Sequence, residues 1–152
     1  MSDDLFKQYT KEVMEHFLHP KNIGEIKNAD GIGEVGNPRC GDVMRLYIKI
    51  GKRPILNNKT SKHLNIKQEE YIKDVKVQTL GCGAAIATSS MATEMVKGKS
   101  LDKAMEITNE AVAKALGGLP PVKIHCSVLA KQGIHKAIED YKSRKQKAIS
   151  RK

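Results

Sequence analysis

The chain has 152 residues, 39% of them hydrophobic, with 27 Lys and Arg against 17 Asp and Glu and a formal net charge of +10. That is the usual size of one domain able to bury a core without disulfides. With no apolar run of about 18 residues and no basic-then-apolar order after Met1-Ser2-Asp3-Asp4, the reading excludes a membrane span and a secretory signal. The expectation is one domain over 1–152 in the cytoplasm. The positive charge favours acidic partners without naming one, and much of it lies in a basic tail over 143–152, read as a solvated, fraying helix end.

Residues 5–18 set Phe6, Tyr9, Val13 and Phe17 at helical spacing and predict an amphipathic first helix that His19-Pro20 ends. Residues 20–38, with Gly24, Gly31, Gly33, Gly36 and Pro38, read as a loop with a short extended piece near Ile32 to Val35. Residues 43–50 alternate apolar and polar as a half-buried strand does, and residues 71–80 repeat the pattern; the polar stretch 51–70 between them reads as a long hairpin loop. Gly81-Cys82-Gly83 ends the second strand, and 84–97 reads as a helix rich in small residues that permit close packing. Ser100 is a candidate N-cap for a helix reaching Leu116, with a break near Thr108-Asn109. Gly117-Gly118 and Pro120-Pro121 force a connection before a last helix whose stripe is Cys126, Leu129, Ala130, Ile134, Ala137, Ile138 and Tyr141. Strands followed by helices predict an α+β fold, a small three-stranded antiparallel sheet with helices packed on one face.

Three cysteines cannot all pair within one chain, and a cytosolic redox poise keeps them as thiols. Free cysteines are often small buried hydrophobes, but each of these sits at a turn or an element end: Asn37-Pro38-Arg39-Cys40-Gly41-Asp42, Gly81-Cys82-Gly83 and His125-Cys126-Ser127. Glycines let backbone N–H groups approach a sulfur, and a helix start places partial positive charge beside it; both favour thiolate. The cysteines are 42 and 44 residues apart, which excludes the tight pairs of zinc ribbons and the clustered spacing of ferredoxins. Antiparallel pairing of 43–50 with 71–80 brings Cys40 and Cys82 to one end of the sheet. Asp42 and His125 are the candidates for a fourth ligand; in isolation each is as well explained as a turn residue or a hydrogen-bonded helix-start histidine. A carboxylate or imidazole holds an iron-sulfur cluster less firmly than a fourth thiolate, which suits transfer. His16, His19, His63 and His135 are read as structural, and Met14, Met91, Met95 and Met105 as core.

Three ordered motifs, Gly36-Asn37-Pro38-Arg39-Cys40-Gly41-Asp42, Gly81-Cys82-Gly83-Ala84-Ala85-Ile86-Ala87-Thr88-Ser89-Ser90 and Leu119-Pro120-Pro121-Val122-Lys123-Ile124-His125-Cys126-Ser127, make the chain resemble the IscU/NifU-type iron-sulfur cluster assembly scaffolds over about residues 5–145. The resemblance implies an IscU/SufE-like fold and a scaffold, not an enzyme. Such a protein accepts persulfide sulfur from a cysteine desulfurase, combines it with iron into a transient 2Fe-2S cluster, and passes the cluster to acceptor apo-proteins or carriers. It implies Cys40, Cys82 and Cys126 as cluster ligands, His125 or Asp42 as the alternative fourth ligand, Asp42 as the residue that keeps the cluster labile, and Cys126 as the persulfide acceptor. Lys123, His125 and the helix N-terminus would lower the Cys126 pKa from its usual value near 8.5. Leu119, Pro120, Pro121, Val122 and Lys123 resemble the family's recognition segment for an Hsp70-type chaperone with its co-chaperone, extended and pre-organised by the two prolines. A monomer or weak homodimer is expected.

The same ligands form a good tetrahedral zinc site, so zinc is an expected alternative to iron. A zinc-dependent sulfurtransferase of the SufU kind is the alternative function; His125 and the Leu-Pro-Pro-Val-Lys segment argue against it, because that branch lacks them. Two Phe, four Tyr and no Trp offer few stacking platforms, against a nucleic-acid-binding module. A ferredoxin would supply four cysteines per cluster. The stretch 51–70 looks longer than the family's usual turn, and a stand-alone scaffold is expected, without the extra cysteine-bearing domains of larger relatives.

Overall fold

The computed structural model describes residues 9–37, 41–55 and 68–150. Helix α1 spans Lys11–Leu18. Thr10 caps it, interrupting the helix expected over 5–18: the Thr10 hydroxyl accepts the Val13 N–H at 3.0 Å and donates to the Leu116 carbonyl. Tyr9 therefore lies outside the helix, and residues 1–8 are outside the described residues. At the other end the His19 N–H bonds the Glu15 carbonyl and Pro20 follows.

Three strands form an antiparallel meander in the order β1-β2-β3: β1 Gly31–Asn37, β2 Asp42–Pro54 and β3 Gln68–Leu80. All three exceed their expected lengths. The short piece at Ile32 to Val35 is a full strand, paired from Gly31 against Ile48 to Asn37 against Asp42. The expected hairpin loop is shorter than 51–70, since pairing continues through Gly51 with Tyr71 to Pro54 with Gln68. Cation–π contact of Arg53 over the Tyr71 ring at 4.5 Å and an ion pair from Arg53 to Glu69 at 2.9 Å hold this polar extension without a core. Residues 56–67 lie outside the described residues.

Met44, Leu46 and Ile48 of β2 face the helices; Val43 and Arg45 face away, and Tyr47 donates its hydroxyl to Gln78 on that open side at 2.8 Å. On β3 a bulge leaves Lys73 without a partner, because Lys49 pairs with Asp74 and Ile50 with Ile72. The bulge turns both Ile72 and Val75 inward, three residues apart, where strict alternation would expose one of them.

Helix α2 (Gly83–Val96) is buried over most of its surface through Ala84, Ala85, Ala87, Ala92 and Val96, and also through Ser89, Ser90, Thr88 and Thr93. Each of those hydroxyls has a partner: Ser89 with Thr79, Ser90 with His16, Thr88 with the Ala85 carbonyl and Thr93 with the Ser90 carbonyl. His16 and His135, which bonds the Met105 carbonyl at 2.9 Å, are structural as expected. Helices α3 (Leu101–Met105) and α4 (Asn109–Ala115) replace one long helix with two, broken where Thr108 caps α4. Ser100 caps α3 through the Lys103 N–H. Met91, Met95 and Met105 pack on the core.

A 3₁₀ turn at Pro121–Lys123 leads into α5 (Ile124–Ser150), whose Leu129, Ala130, Ile134, Ala137 and Ile138 cover the sheet. Pro120 keeps the extended geometry (φ −55°, ψ 143°) foreseen for Leu119–Lys123, but Pro121, pre-set for the first helical turn, starts the 3₁₀ turn that takes up 121–123. The helix continues through the described part of the basic tail expected to fray over 143–152, as far as Ser150, with residues 142–149 exposed. Among the described residues no helix is long and apolar enough to cross a membrane.

Candidate metal and sulfur site

The β2–β3 register sets Val43 opposite Leu80, so the chain entering β2 and the chain leaving β3 meet at one end of the sheet. Asp42 opens β2 and points to the helix side, 2% exposed. Gly81 allows this position: a Cβ there would collide with the Asp42 carboxylate, and the Cys82 N–H donates to Asp42 Oδ1 at 3.2 Å. Cys82 is the N-cap residue of α2, and Cys126 is the third residue of α5, fully buried against Ala84 and Ala85.

Four donors converge. Cys82 Sγ and Cys126 Sγ are 3.8 Å apart; Asp42 Oδ2 lies 3.8 Å from the first and 3.7 Å from the second; His125 Nε2 lies 3.6 Å from Cys126 Sγ. Asp42, His125 and Cys126 present ligand atoms all within 4.8 Å of one another. A tetrahedral ion with bonds of about 2.3 Å to sulfur and about 2.0 Å to nitrogen or oxygen has edges of about 3.8 Å between two sulfurs and about 3.5 Å between sulfur and nitrogen or oxygen. The separations among Asp42, Cys82 and Cys126, and that of His125 from Cys126, match those edges to within a few tenths of an ångström, whereas Cys82 stands outside the group of ligand atoms that includes His125 within 4.8 Å. Asp42, Cys82 and Cys126 thus offer one face of a tetrahedral iron or zinc site, with His125 beside it through Cys126. Cys40, the remaining expected ligand, lies outside the described residues.

The two thiols share one proton unequally. The hydrogen bond from Cys126 pulls the Cys82 pKa down to about 5 against the opposing effect of burial, with the Ala85 backbone N–H and Lys123 assisting. Cys126 moves the other way: its bond to Cys82, then burial, then the negative charge on Cys82 raise its pKa. The expected lowering at Cys126 is therefore overturned, because Lys123 and the helix end act on a pair whose more exposed member takes the charge. Lys123 is itself partly desolvated, yet the charges on Cys82, Tyr9 and Cys126 and a side-chain bond to Cys82 raise its pKa overall. It is the site's counter-charge.

Tyr9 was read as part of the first helix's apolar stripe. It instead packs on the Ala84, Ala85 and Cys126 cluster together with Cys82 and Leu119, and its pKa is raised by burial and by the two cysteines despite Lys123. Nothing in its spacing distinguishes this place from a helical one; Thr10, a capping residue type, is the available signal. Of Leu119–Lys123, Pro121 is exposed, Leu119 and Lys123 are half-buried, and Pro120 is buried.

A three-stranded antiparallel sheet backed by helices, with thiol, carboxylate and imidazole donors gathered at one end, defines an α+β protein built to hold metal through sulfur. The model of the NifU-like N-terminal domain matches residues 8–148. An iron-sulfur cluster assembly scaffold protein of Archaeoglobus fulgidus, IscU 1, is 50% identical over 133 residues, 88% of this chain and 76% of that protein. The scaffold protein IscU of Escherichia coli strain K12 is 46% identical over 141 residues, 91% of this chain and 97% of that protein. Among solved structures, a putative iron-sulfur cluster assembly scaffold protein for the SUF system from Fervidobacterium islandicum superposes with a TM-score of 0.62 at 22% identity, covering 87% of this chain and 97% of that one, a likeness of fold. The chain belongs to the NifU-like N-terminal domain family, the IscU/NifU-type scaffolds.

Proposed function

We propose that this protein is a scaffold on which 2Fe-2S clusters are built and from which they are passed to acceptor proteins. The observation that carries the reading is the convergence of Asp42, Cys82, His125 and Cys126 at metal-ligand spacings, and relatives named as iron-sulfur cluster assembly scaffolds support it. Iron and the cluster are cargo here. Cys82, Cys126 and Cys40 would hold it, with Asp42 or His125 as the weaker fourth donor. An oxygen or imidazole ligand exchanges more readily than a thiolate, and this favours release.

Sulfur would arrive as a persulfide from a cysteine desulfurase. The Cys126 thiolate attacks the outer sulfur of the donor's Cys–S–SH; one S–S bond forms at Cys126, the donor's S–S bond breaks, and the donor leaves as thiolate. Cys126 is protonated at rest, and the Cys82 thiolate, 3.8 Å from Cys126 Sγ, would take that proton as the donor docks. Two sulfane sulfurs need four electrons to become sulfide. Oxidation of two ferrous irons supplies two, and an external electron donor must supply the rest.

An Hsp70-type chaperone with its co-chaperone is proposed to engage Leu119–Lys123, where buried Pro120 requires the turn to open. The zinc-dependent sulfurtransferase reading draws on the same tetrahedral spacings, which zinc would satisfy as well as iron.

The test is sulfur transfer from a cysteine desulfurase with free cysteine as substrate, trapped by alkylation and mapped by peptide mass spectrometry. Wild type should carry the extra sulfur on Cys126, and Cys126→Ser should carry none. Undiminished loading of Cys126→Ser, with loss in Cys82→Ser, would move the acceptor role to Cys82.

A further inference from the structure

Cys126 is 0% exposed, so in this conformation no persulfide on another protein can reach its sulfur. The cover is specific. Tyr9 and Leu119 pack over the small cluster that Cys126 forms with Ala84 and Ala85, and Tyr9 is close enough to Cys82, Cys126 and Lys123 to interact electrostatically with all three. Its side chain therefore packs on the cluster beside the thiols.

Cys82 packs there too, as a partner within the site, and the two other covers, Tyr9 and Leu119, differ in how they are held. Leu119 is followed directly by buried Pro120, so moving it disturbs the turn that starts α5. Tyr9 stands one residue outside a firm anchor. Thr10 is bound to the Leu116 carbonyl and to the Val13 N–H, and Gly117 lies closely against Thr10 and Glu12, where a Cβ would come within 3.1 Å of the Glu12 carboxylate. Rotation at residue 9 can lift the ring while α1, the 116–118 turn and the core stay in place.

We propose that Tyr9 is a removable cover over Cys126, a positioning residue whose displacement admits the sulfur donor and whose return shields the loaded sulfur from water and stray thiols. This rests on the reading of Cys126 as sulfur acceptor. A docking donor would open the site by offering the Tyr9 ring a better apolar contact than Ala84 and Ala85 provide, so sulfur would be taken from a bound partner in preference to free thiol compounds.

The experiment is iodoacetamide labelling of the reduced, chelator-treated full chain, with rates at Cys126 and Cys82 read separately by peptide mass spectrometry. Tyr9→Ala should label Cys126 about tenfold faster than wild type, leave Cys82 within about twofold, and leave amide exchange across α5 unchanged. Tyr9→Phe, which keeps the ring, should behave as wild type. An unchanged Cys126 rate in Tyr9→Ala would overturn the proposal, as would faster labelling in Tyr9→Phe or a matching rise in α5 exchange, which would make Tyr9 a general support of the fold. Glutathione persulfide separates this from the reading beneath it. Sulfur reaching Cys126 faster in Tyr9→Ala agrees with both; faster alkylation with no sulfur ever found on Cys126 would remove the acceptor role while leaving the cover intact.

Discussion

The division of charge between Cys82 and Cys126 is the most consequential local feature of the site. With its pKa near 5, Cys82 is thiolate at neutral pH and protonates only as the pH falls toward 5, whereas Cys126 keeps its proton well into the alkaline range. Alkylation of Cys82 should therefore vary little between about pH 9 and 6, while an ordinary thiol with a pKa near 8.5 slows about tenfold per pH unit below that value. Cys126 should react slowly throughout and gain rate only at the alkaline end. A tenfold-per-unit decline at Cys82, read by the same peptide mapping, would show that it carries no such charge. Asp42, Cys82, His125 and Cys126 were all legible as candidates from their neighbours in the sequence. Which thiol carries the charge was not, because that depends on a 3.8 Å separation and on unequal burial created only by packing α2 and α5 together.

At the scale of elements, the site is aligned by how closely α5 lies on β1. A Cβ at Gly33 would collide with the Gly133 carbonyl and the Ala137 nitrogen, and one at Gly31 with the Ala137 carbonyl, all backbone atoms that cannot swing aside. Gly33→Ala should cost about 1–3 kcal/mol, lowering Tm by several degrees at about 2–4 °C per kcal/mol for a chain of this size. Gly36→Ala, on the same strand, would make only ordinary contacts of 3.6 and 3.8 Å and should leave Tm nearly unchanged. Equal melting of the two variants would mean that close helix–strand contact is not what seats α5. The glycines of β1 explain why this strand was largely read as a loop: residues such as Gly31 and Gly33 signal turns in isolation, and here they make room for a helix. The polar ends of β2 and β3 were missed for a related reason, since Arg53 stacking on Tyr71 and pairing with Glu69 leaves no apolar alternation to detect. The break at Thr108 and the cap at Ser100 were legible because capping is a local event encoded in single residues.

For the whole molecule, much of the positive charge lies on the exposed end of α5, with Lys142, Arg144, Lys145 and Lys147. The exposed end of α5 is tied down near its base by Arg144 to the Ala29 carbonyl, Lys145 to Glu70 and Tyr141 to Glu70, surface contacts each worth under about 1 kcal/mol. Asp140 accepts the Ile32 N–H at 2.9 Å and so covers part of the edge of β1. Fold and donor set together gather metal and sulfur ligands at one end of the molecule, beside Tyr9, Leu119 and Lys123, and a cluster built there is proposed to leave. The direct measurement is anaerobic reconstitution with ferrous iron, cysteine, a cysteine desulfurase and a reductant, followed by Mössbauer spectroscopy and then by transfer to an apo-ferredoxin. A 2Fe-2S signature that forms on this protein and reappears on the ferredoxin is the predicted result. Tightly held zinc with sulfur relay and no iron chromophore would contradict it.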